Sequence, residues 1–435
     1  MKQVSAASDS PYKRRKFLKL LSAGWAATMA YPVLGSAATN SKTELGSTSL
    51  TPYKDLPDEQ YWEKVKKQFA VPANMIMVNA ANLCPSPVSV SDQILTSLKS
   101  LEKDVSFQNR SKFEEKRKVA ISMLAKYLGV APDEIGITRN TTEGNNIIVN
   151  GLDLKPGDEI IIWEQNHPTN GLAWEQRAKR YGFTVKKVAV PASPKSTAEL
   201  IAPFAIAITS KTKLIAFSHI SNSSGIALPA AAICQLAQAK GILTLVDGAQ
   251  SFGSMDLDLK EIGCDFYTGS THKWLMGPIE NGVLYVNKAQ MGKIWPNMIS
   301  AGWKETYRTV DEKLCVLGQR NDLTVSALPV ILEFHEAVGK KNIENRVKQL
   351  SAHLKDQIKT KVPQVTFVTP LSPELSSGIV IINIPNKKNA EIYHQLYEKH
   401  GIAGAPTGGI RLSPHIYNTL EDMDKIVSAL VTLAA

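Results

Sequence analysis

Short apolar runs alternate with segments of helical periodicity between about residues 72 and 286. Runs rich in Val, Ile and Leu predict buried strands over 159–163, 184–190, 214–218, 243–247, 265–267 and 282–286. Between them, helical spacing predicts helices over 171–181 and 229–240, the second beginning at a proline and ending before a glycine. Strands that alternate with helices are typical of a mostly parallel sheet covered by helices on both faces.

The pattern changes after about residue 325. Helical stretches over 327–338 and 342–361 precede strands near 365–368 and 378–384, and helices over 389–399 and 421–433 follow. Helices followed by strands are typical of an α+β domain. We therefore expect a large domain over 75–324 and a smaller C-terminal α+β domain over 325–435, preceded by a linker and N-terminal segment over 39–74.

The first 38 residues have the order of an export signal. Basic residues that include Arg14 and Arg15 are followed by an apolar run over 20–31 and by small residues over 35–38. This order resembles twin-arginine signals, so residues 1–38 are predicted to be a signal peptide that the twin-arginine export machinery reads, and the mature chain to be periplasmic. A membrane anchor is the alternative, but glycines and a proline make the run too weak for a permanent span.

Length and composition fit a two-domain globular enzyme, because 435 residues with 43% hydrophobic side chains can bury a large core and a smaller second one. Six of the 50 basic residues and one of the 40 acidic residues lie in 1–38, which reduces the charge from +10 to +5 beyond them. No basic stripe with interleaved aromatic residues follows, so nucleic-acid binding is not indicated. The four cysteines have no metal-ligand spacing, so no metal site is predicted, and Cys234 and Cys264 are expected to be buried.

Lys273 and Asp247 together indicate a pyridoxal phosphate (PLP) site. Lys273 follows a short strand among small residues, where an amine can form an imine with a cofactor aldehyde. A single lysine in such a place is more often a solvated surface residue. Asp247 ends an apolar strand, where a poorly solvated carboxylate needs a cationic partner such as a protonated pyridine nitrogen. Its alternative role is to cap the following helix.

Three further segments offer groups that such a site needs. Thr141 and Thr142 precede an apolar helical run and can present N–H groups and hydroxyls to an anion, although an ordinary helix cap has the same pattern. His167 follows an apolar strand, where a histidine is more often a surface or core hydrogen-bonding residue. Arg411 carries the guanidinium fork that binds a carboxylate with two hydrogen bonds, with a surface arginine as the alternative.

Over about residues 75–432 these segments as a set resemble the class V aminotransferase family, the fold-type I PLP enzymes that include cysteine desulfurases and isopenicillin N epimerase-like proteins. The resemblance implies an α/β fold in which a large PLP domain has a mostly parallel seven-stranded sheet flanked by helices, with a smaller C-terminal α+β domain. It also implies that Lys273 is the Schiff-base lysine and moves the proton at the substrate's Cα, while Asp247 holds the pyridine nitrogen.

The same resemblance implies roles for the other site residues. His167 would stack on the pyridine ring, and Arg411 would bind the substrate carboxylate. Gln250 and Asn222 would lie near the phenolic oxygen of the cofactor. The implied phosphate ligands are Thr141, Thr142, Ser270 and His272.

Two departures from the family pattern bear on the reaction and the assembly. Cysteine desulfurases of this type carry a nucleophilic cysteine in the loop before the arginine, but residues 401–408 contain none, so desulfurase activity is not expected. Residues 318–322 resemble a segment of the epimerase-like branch that reaches the neighbouring subunit's phosphate, which implies a homodimer. Gln319 stands in that segment where the branch has threonine.

The sequence therefore predicts an exported PLP enzyme that binds an amino-acid or peptide-derived amine as an external aldimine. Transamination, epimerisation, elimination and decarboxylation all start this way and stay open. Modification of a peptide siderophore in the periplasm is one option, since an exported relative tailors the side chain of pyoverdine. The alternatives are a non-catalytic binding protein on the same scaffold and a C–S lyase without a cysteine nucleophile. A nicotinamide oxidoreductase is disfavoured because no GxGxxG opens a strand-helix unit.

Overall fold

The structure is a computed structural model that describes residues 58–434. The predicted signal peptide, residues 1–38, and residues 39–57 of the predicted linker lie outside the described residues. Within residues 58–434, no helix is long and apolar enough to span a membrane. In that same part of the chain, no group of three or more His, Cys, Asp or Glu side chains is arranged to hold a metal ion.

Within residues 58–434, twelve strands form three sheets. In chain order they are β1 (Ile76–Met77), β2 (Ile135–Thr138), β3 (Glu159–Trp163), β4 (Thr184–Val188), β5 (Thr212–Ser218), β6 (Leu243–Asp247), β7 (Phe266–Ser270), β8 (Gly282–Val286), β9 (Thr366–Phe367), β10 (Val380–Asn383), β11 (Ile402–Ala403) and β12 (Ile410–Leu412). The central sheet has seven strands in the order β2-β8-β7-β6-β5-β3-β4. Within this sheet β8 runs in the direction opposite to the other six strands, so the predicted mostly parallel seven-stranded sheet is confirmed.

Helices cover the sheet and build most of the C-terminal part. In chain order they are α1 (Glu59–Lys66), α2 (Val88–Lys103), α3 (Phe107–Leu128), α4 (Thr141–Gly151), α5 (Pro168–Tyr181), α6 (Thr197–Ala207), α7 (Ala230–Gln238), α8 (Leu259–Ile262), α9 (Val310–Leu314), α10 (Asp322–Val325), α11 (Leu328–Val338), α12 (Lys340–Lys361), α13 (Asn389–His400) and α14 (Leu420–Ala434). Short 3₁₀ turns occur at Pro132–Glu134 and Lys288–Lys293.

Some predicted bounds differ from those observed. Helix α5 begins three residues before the predicted start at 171, because Pro168 suits the first helical turn and His167 caps it. Strand β4 ends at Val188 rather than 190, on the edge of the sheet. Strand β2 was not predicted, since it is short and Gly136 interrupts its apolar pattern.

The central sheet is buried on both faces. Along β3, Ile160 and Ile162 pack into one apolar layer, whereas Ile161 and Trp163 pack into the layer on the other face. This alternation follows from the two-residue period of a strand. Since both layers are apolar, the strands read as continuous hydrophobic runs, which is why the sequence indicated them.

The C-terminal part has its own sheet and apolar core. Strand β10 lies between β9 and β12 and pairs antiparallel with both. Leu350 and Leu354 of α12 pack in one cluster with Ile426 and Leu430 of α14. Strand β1 pairs parallel with β11, so a segment from near the start of the described residues joins this region. The division of the chain at residues 324 and 325 stays a prediction.

The sheet places three site segments side by side. Strands β5, β6 and β7 are parallel neighbours, and Asp247 pairs in register with Ser218 on one side and Thr268 on the other. In a parallel sheet, ligands bind in the crevice outside the carboxyl ends of the strands. Asp247 and Ser270 are the last residues of their strands and therefore lie at this edge.

Candidate active site

Asp247 is a buried carboxylate at the carboxyl end of β6. Its side chain is 2% exposed. Asn145 Nδ2 donates a hydrogen bond to Oδ2 at 2.9 Å, and the backbone N–H of Ala249 donates to Oδ1 at 3.1 Å. Within residues 58–434 no ion pair joins Asp247 to a basic side chain. A buried carboxylate held only by neutral donors suits a cationic group of a ligand, such as a protonated pyridine nitrogen.

Gly248 makes the turn after Asp247 possible. A Cβ atom at this position would lie 2.0 Å from Cζ of Tyr267, a buried residue of β7. No side chain fits there, so only glycine lets the chain turn this close to the neighbouring strand. The backbone N–H of Gly248 donates to the carbonyl of Thr268 at 2.8 Å, which continues the pairing of β6 and β7 through the turn.

Lys273 lies in a closed turn after β7. The Thr271 hydroxyl donates to the carbonyl of Pro278 at 2.7 Å, and the Gly277 N–H donates to the carbonyl of Thr271 at 2.8 Å. Met276 is buried and has a φ of 58°, in the left-handed region that side chains other than glycine rarely adopt. Strained backbone of this kind persists where the surroundings fix it, and it clusters at functional sites.

Three other parts of the chain hold the carbonyl groups of this turn. The contacts are Cys84 N–H to His272 O at 2.9 Å, His415 Nε2 to Trp274 O at 2.8 Å and His335 Nε2 to Leu275 O at 2.9 Å. Because carbonyls on both sides of Lys273 are fixed, its Cα has a defined position relative to the sheet. This rigidity suits a residue that has to present its amine at one point.

The surroundings of Lys273 lower the pKa of its amine. Burial lowers the pKa of Lys273, the negative charge of Asp247 opposes this shift, and the positive charge of Arg411 adds to it. The direction of the net shift is downward. A neutral amine is the form that attacks an aldehyde and that accepts a proton from carbon.

Thr141 and Ser270 meet where the N-terminus of α4 faces the end of β7. The backbone N–H of Thr141 donates to Ser270 Oγ at 2.9 Å, and the two hydroxyl oxygens lie 2.7 Å apart. Thr142, the next helical residue, is exposed and lines a surface cleft of about 710 Å³. A helix N-terminus with two hydroxyls fits a phosphate group, so these residues suit the phosphate of PLP.

His272 lies two residues after Ser270, which together with Thr141 forms what we call the phosphate cup. Its Nδ1 is buried and has no hydrogen-bond partner among the described residues. Burial, together with the positive charge of Lys273, lowers the pKa of His272 to about 4. The neutral imidazole therefore has a nitrogen free for a ligand, which agrees with its predicted place near the phosphate.

His167 caps α5 and faces the charged residues of the crevice. Its Nδ1 lies 2.8 Å from the Thr169 hydroxyl. Burial lowers the pKa of His167, Lys273 and Arg411 lower it further, and Asp247 opposes them. Because the charges of the other three side chains act on the pKa of His167, all four lie near one crevice. An imidazole ring suits stacking on an aromatic cofactor, which stays a prediction for His167.

Gln250 and Asn222, the predicted neighbours of the phenolic oxygen, are engaged with the protein. Gln250 Nε2 donates to the carbonyl of Ala81 at 3.0 Å, and Trp274 Nε1 donates to Gln250 Oε1 at 2.7 Å. One N–H of the Gln250 amide remains for a ligand. Asn222 is half-buried, and its carbonyl accepts a hydrogen bond from Arg411 Nη1 at 3.1 Å. Their contacts with the cofactor stay predictions.

Arg411 is a buried guanidinium on β12. Its side chain is 4% exposed, Nη2 donates to Asn79 Oδ1 at 3.3 Å, and Nε has no partner among the described residues. Burial lowers the pKa of Arg411 to about 10. Within residues 58–434 no carboxylate forms an ion pair with it. A buried cation with spare N–H groups is suited to bind the carboxylate of a substrate.

None of the four cysteines has the properties of a nucleophile. All are buried, which confirms the prediction for Cys234 and Cys264. Burial raises the pKa of Cys84 and of Cys234 to about 12, and it raises the pKa of Cys264 and Cys315 well above the ordinary thiol value. Catalytic cysteines are partly exposed and have a lowered pKa.

Sequence reasoning missed Asn145 and Asn79, which contact Asp247 and Arg411. Asn145 stands in the same motif as Thr141, four residues further along α4, and this spacing places both residues on one face of the helix. That spacing was the available signal for Asn145. Gln319 is exposed and accepts a hydrogen bond from Arg110 at 3.0 Å, and the homodimer that residues 318–322 imply stays a prediction.

The seven-stranded sheet, with a half-buried lysine after one strand and a buried carboxylate at the end of the neighbouring strand, defines a PLP-dependent enzyme of fold-type I. The family model described as aminotransferase class-V matches residues 85–426. The chain belongs to the class V aminotransferase family, and its cofactor is pyridoxal 5'-phosphate. The predicted enzyme class and cofactor are thereby confirmed.

The chain is similar to relatives with different reactions. It is 31% identical to isopenicillin N epimerase of Streptomyces clavuligerus, over 71% of this chain and 82% of that protein. It is 26% identical to a probable cysteine desulfurase of Pyrococcus abyssi, over 85% of this chain and 97% of that protein. The apo structure of a cysteine desulfurase from Thermococcus onnurineus NA1 has the same fold, with a TM-score of 0.77, 22% identity and coverage of 88% and 99%.

Proposed function

We propose that this protein is an exported PLP enzyme of the aminotransferase or epimerase type that acts at the Cα of an amino acid or a peptide-derived amine, and that it is not a cysteine desulfurase. The observation that carries the proposal is Arg411, a buried guanidinium without an acidic partner in the described chain, in the crevice that also holds Lys273 and Asp247. Bound PLP supplies an aldehyde that holds the substrate amine and a ring that accepts electrons.

The residues divide the work in a way that follows from their surroundings. Arg411 binds the substrate carboxylate through its spare N–H groups and so fixes the rotation about the Cα bonds. Lys273, whose pKa is lowered by burial, accepts the Cα proton and returns it. Asp247 pairs with the ring nitrogen of the cofactor. Thr141, Ser270 and His272 hold the phosphate.

The reaction type follows from the segment that precedes Arg411. A desulfurase of this family needs a thiolate there, but residues 401–409 contain no cysteine. Burial has raised the pKa of all four cysteines, which makes them poor nucleophiles. The 31% identity to an isopenicillin N epimerase agrees with chemistry at Cα.

The proposed location and assembly rest on two segments, the N-terminal residues 1–38 and residues 318–322. Arg14 and Arg15 support export by the twin-arginine machinery after the cofactor has been loaded, and a periplasmic substrate follows. A peptide siderophore of the pyoverdine kind is one option for such a substrate. The resemblance of residues 318–322 to the epimerase-like segment supports a homodimer, although Gln319 stands there in place of threonine.

Proton exchange at Cα tests the proposed reaction directly. The purified holoenzyme is incubated in D₂O with single amino acids, and proton NMR follows the loss of the Cα signal, while chiral and keto-acid assays identify the product. We expect exchange with at least one amino acid in the parent and none in Lys273→Ala. The proposal would be contradicted if the enzyme released sulfide from cysteine and a substitution of one of its four cysteines abolished that release.

Export is tested by changing Arg14 and Arg15 together to lysine, since twin-arginine signals depend on the arginine pair. We expect full-length protein to accumulate in the cytoplasm, whereas the parent chain appears in the periplasm without residues up to about 38. The matched control replaces Lys13 and Lys16 by arginine, which keeps the charge and the pair. Unchanged export of the double variant would contradict the proposed route.

A further inference from the structure

We propose that Asn145, held in place by Thr268, is a positioning residue that fixes the orientation of the Asp247 carboxylate towards the ring nitrogen of the cofactor. The proposal rests on the cofactor and does not depend on which Cα reaction follows. It gives a role to a residue of the helix whose first turn forms part of the phosphate cup.

The three side chains form a continuous chain of hydrogen bonds in the core. Thr268 Oγ1 donates to Asn145 Oδ1 at 2.7 Å, and Asn145 Nδ2 donates to Asp247 Oδ2 at 2.9 Å. Asn145 and Thr268 are 0% exposed and Asp247 is 2% exposed. These hydrogen bonds have ordinary lengths, but in a place shielded from water they are stronger than in water, so they restrict rotation of the carboxylate.

The chemistry of these three side chains decides which group donates in each hydrogen bond. A carboxylate only accepts hydrogen bonds, so Asn145 has to turn its NH₂ group towards Asp247. This leaves the amide oxygen facing Thr268, whose hydroxyl can donate to it. Loss of that hydroxyl leaves the buried amide oxygen without its donor, so the amide is held less firmly in the orientation that Asp247 requires.

Sheet register and helix packing bring the three residues together. Asp247 and Thr268 are partners on neighbouring strands β6 and β7, and Asn145 reaches them from α4 above the sheet. The close approach of α4 depends on Gly144, where a Cβ atom would lie 2.9 Å from Cγ2 of Thr268. Contacts in the core therefore hold Asn145 at one distance from Asp247.

Helix α4 also connects the two ends of the cofactor site. Its first residue, Thr141, contacts Ser270 at the phosphate cup, and Asn145 lies four residues later, about 6 Å along the helix axis. The same rigid helix therefore sets the place of the phosphate ligands and of the carboxylate. Positions fixed in this way lower the cost of organising the site when the cofactor binds.

The test compares PLP with its 1-deaza analogue, in which carbon replaces the ring nitrogen. The apoprotein is titrated with each compound, and the absorbance change gives the two dissociation constants. The parent is expected to prefer PLP, because the analogue offers no partner to Asp247. Asn145→Leu, which has a similar volume, and Thr268→Val, which keeps the shape, are expected to lower this preference about tenfold.

Two control variants separate positioning from general loss of packing. Thr268→Ser keeps the hydroxyl and is expected to retain the parent preference. Ser97→Ala breaks another buried hydroxyl pair, in which Ser97 Oγ lies 2.8 Å from Ser326 Oγ, and is expected to leave the preference unchanged. Circular dichroism confirms that each variant is folded.

The preference for PLP over its analogue makes the outcomes distinct. An unchanged preference in folded Asn145→Leu, or equal weakening of both ligands, would show a structural role only and overturn the proposal. If Thr268→Val and Thr268→Ser lowered the preference for PLP equally, the proposed role of the Thr268 hydroxyl would be overturned. Absence of any Cα exchange in the parent would contradict the proposed function and leave this comparison of dissociation constants standing, since no substrate takes part in it.

Discussion

Replacing Arg411 by alanine tests whether this guanidinium orients the substrate. Of its five N–H groups, Nη1 and Nη2 each use one for Asn222 O and Asn79 Oδ1, at 3.1 and 3.3 Å. The others, including the buried Nε–H, are available for a substrate carboxylate. Two charge-assisted hydrogen bonds contribute about 2 to 4 kcal/mol, so we expect kcat/KM to fall about 30- to 1,000-fold.

The assay separates this role from loss of the cofactor site. Arg411→Ala is expected to bind PLP like the parent and to keep its yellow colour, but to need far more substrate before the spectrum changes. Arg411→Lys keeps the charge without the guanidinium fork, so its kcat/KM should fall between those of the parent and Arg411→Ala. An amine that lacks the carboxylate should react equally poorly with parent and variant. If Arg411→Ala used the carboxylate substrate as well as the parent does, the reasoning would be refuted.

Three further predictions follow from the buried polar groups. Asp247→Asn should keep the fold and some PLP but lose at least about 100-fold in turnover, because the ring nitrogen loses its anionic partner, and near-normal turnover would contradict this role. Single replacements of the cysteines should leave Cα exchange intact, and a folded, PLP-loaded variant without turnover would contradict the absence of a thiol nucleophile; the positions are Cys84, Cys234, Cys264 and Cys315. Burial lowers the pKa of three core histidines to about 4, 3 and 4, namely His219, His335 and His415. Because the unfolded chain binds these protons near pH 6.5 and the folded chain does not, stability should fall as the pH drops from 6.5 to 4, by up to about 1.4 kcal/mol per pH unit for each histidine. Urea unfolding at pH 7 and pH 5 measures this, and a higher midpoint at pH 5 would refute it.

Strands of the central sheet were predictable because both of their faces are buried. The runs over 159–163, 243–247 and 282–286 match β3, β6 and β8 residue for residue, since turn residues bound each apolar run. The two-residue strand β1 has no such signal, because its only pairing is with β11, more than 300 positions away in the chain. Pairings of this kind depend on tertiary packing and not on local sequence.

The site was predictable where one residue carries the chemistry and not where several residues share it. Lys273 follows a strand, and Asp247 and Arg411 occupy strands, so these three residues could be singled out from the sequence. The contacts of Asn145 with Thr268 and of Gln250 with Trp274 could not, because each joins elements that meet only in the folded chain. A buried amide shows no local pattern that names its partner.

Reduction with borohydride tests the central claim most directly. The account requires that PLP is bound covalently through the Nζ of Lys273, in the turn that the carbonyl contacts of His272 and Trp274 hold rigid. Borohydride treatment of the yellow holoenzyme, digestion and mass spectrometry should find the reduced cofactor on the peptide that contains Lys273. Lys273→Arg, which keeps a positive charge, should yield no labelled peptide. Label on another lysine, or no label on a fully loaded sample, would contradict the account.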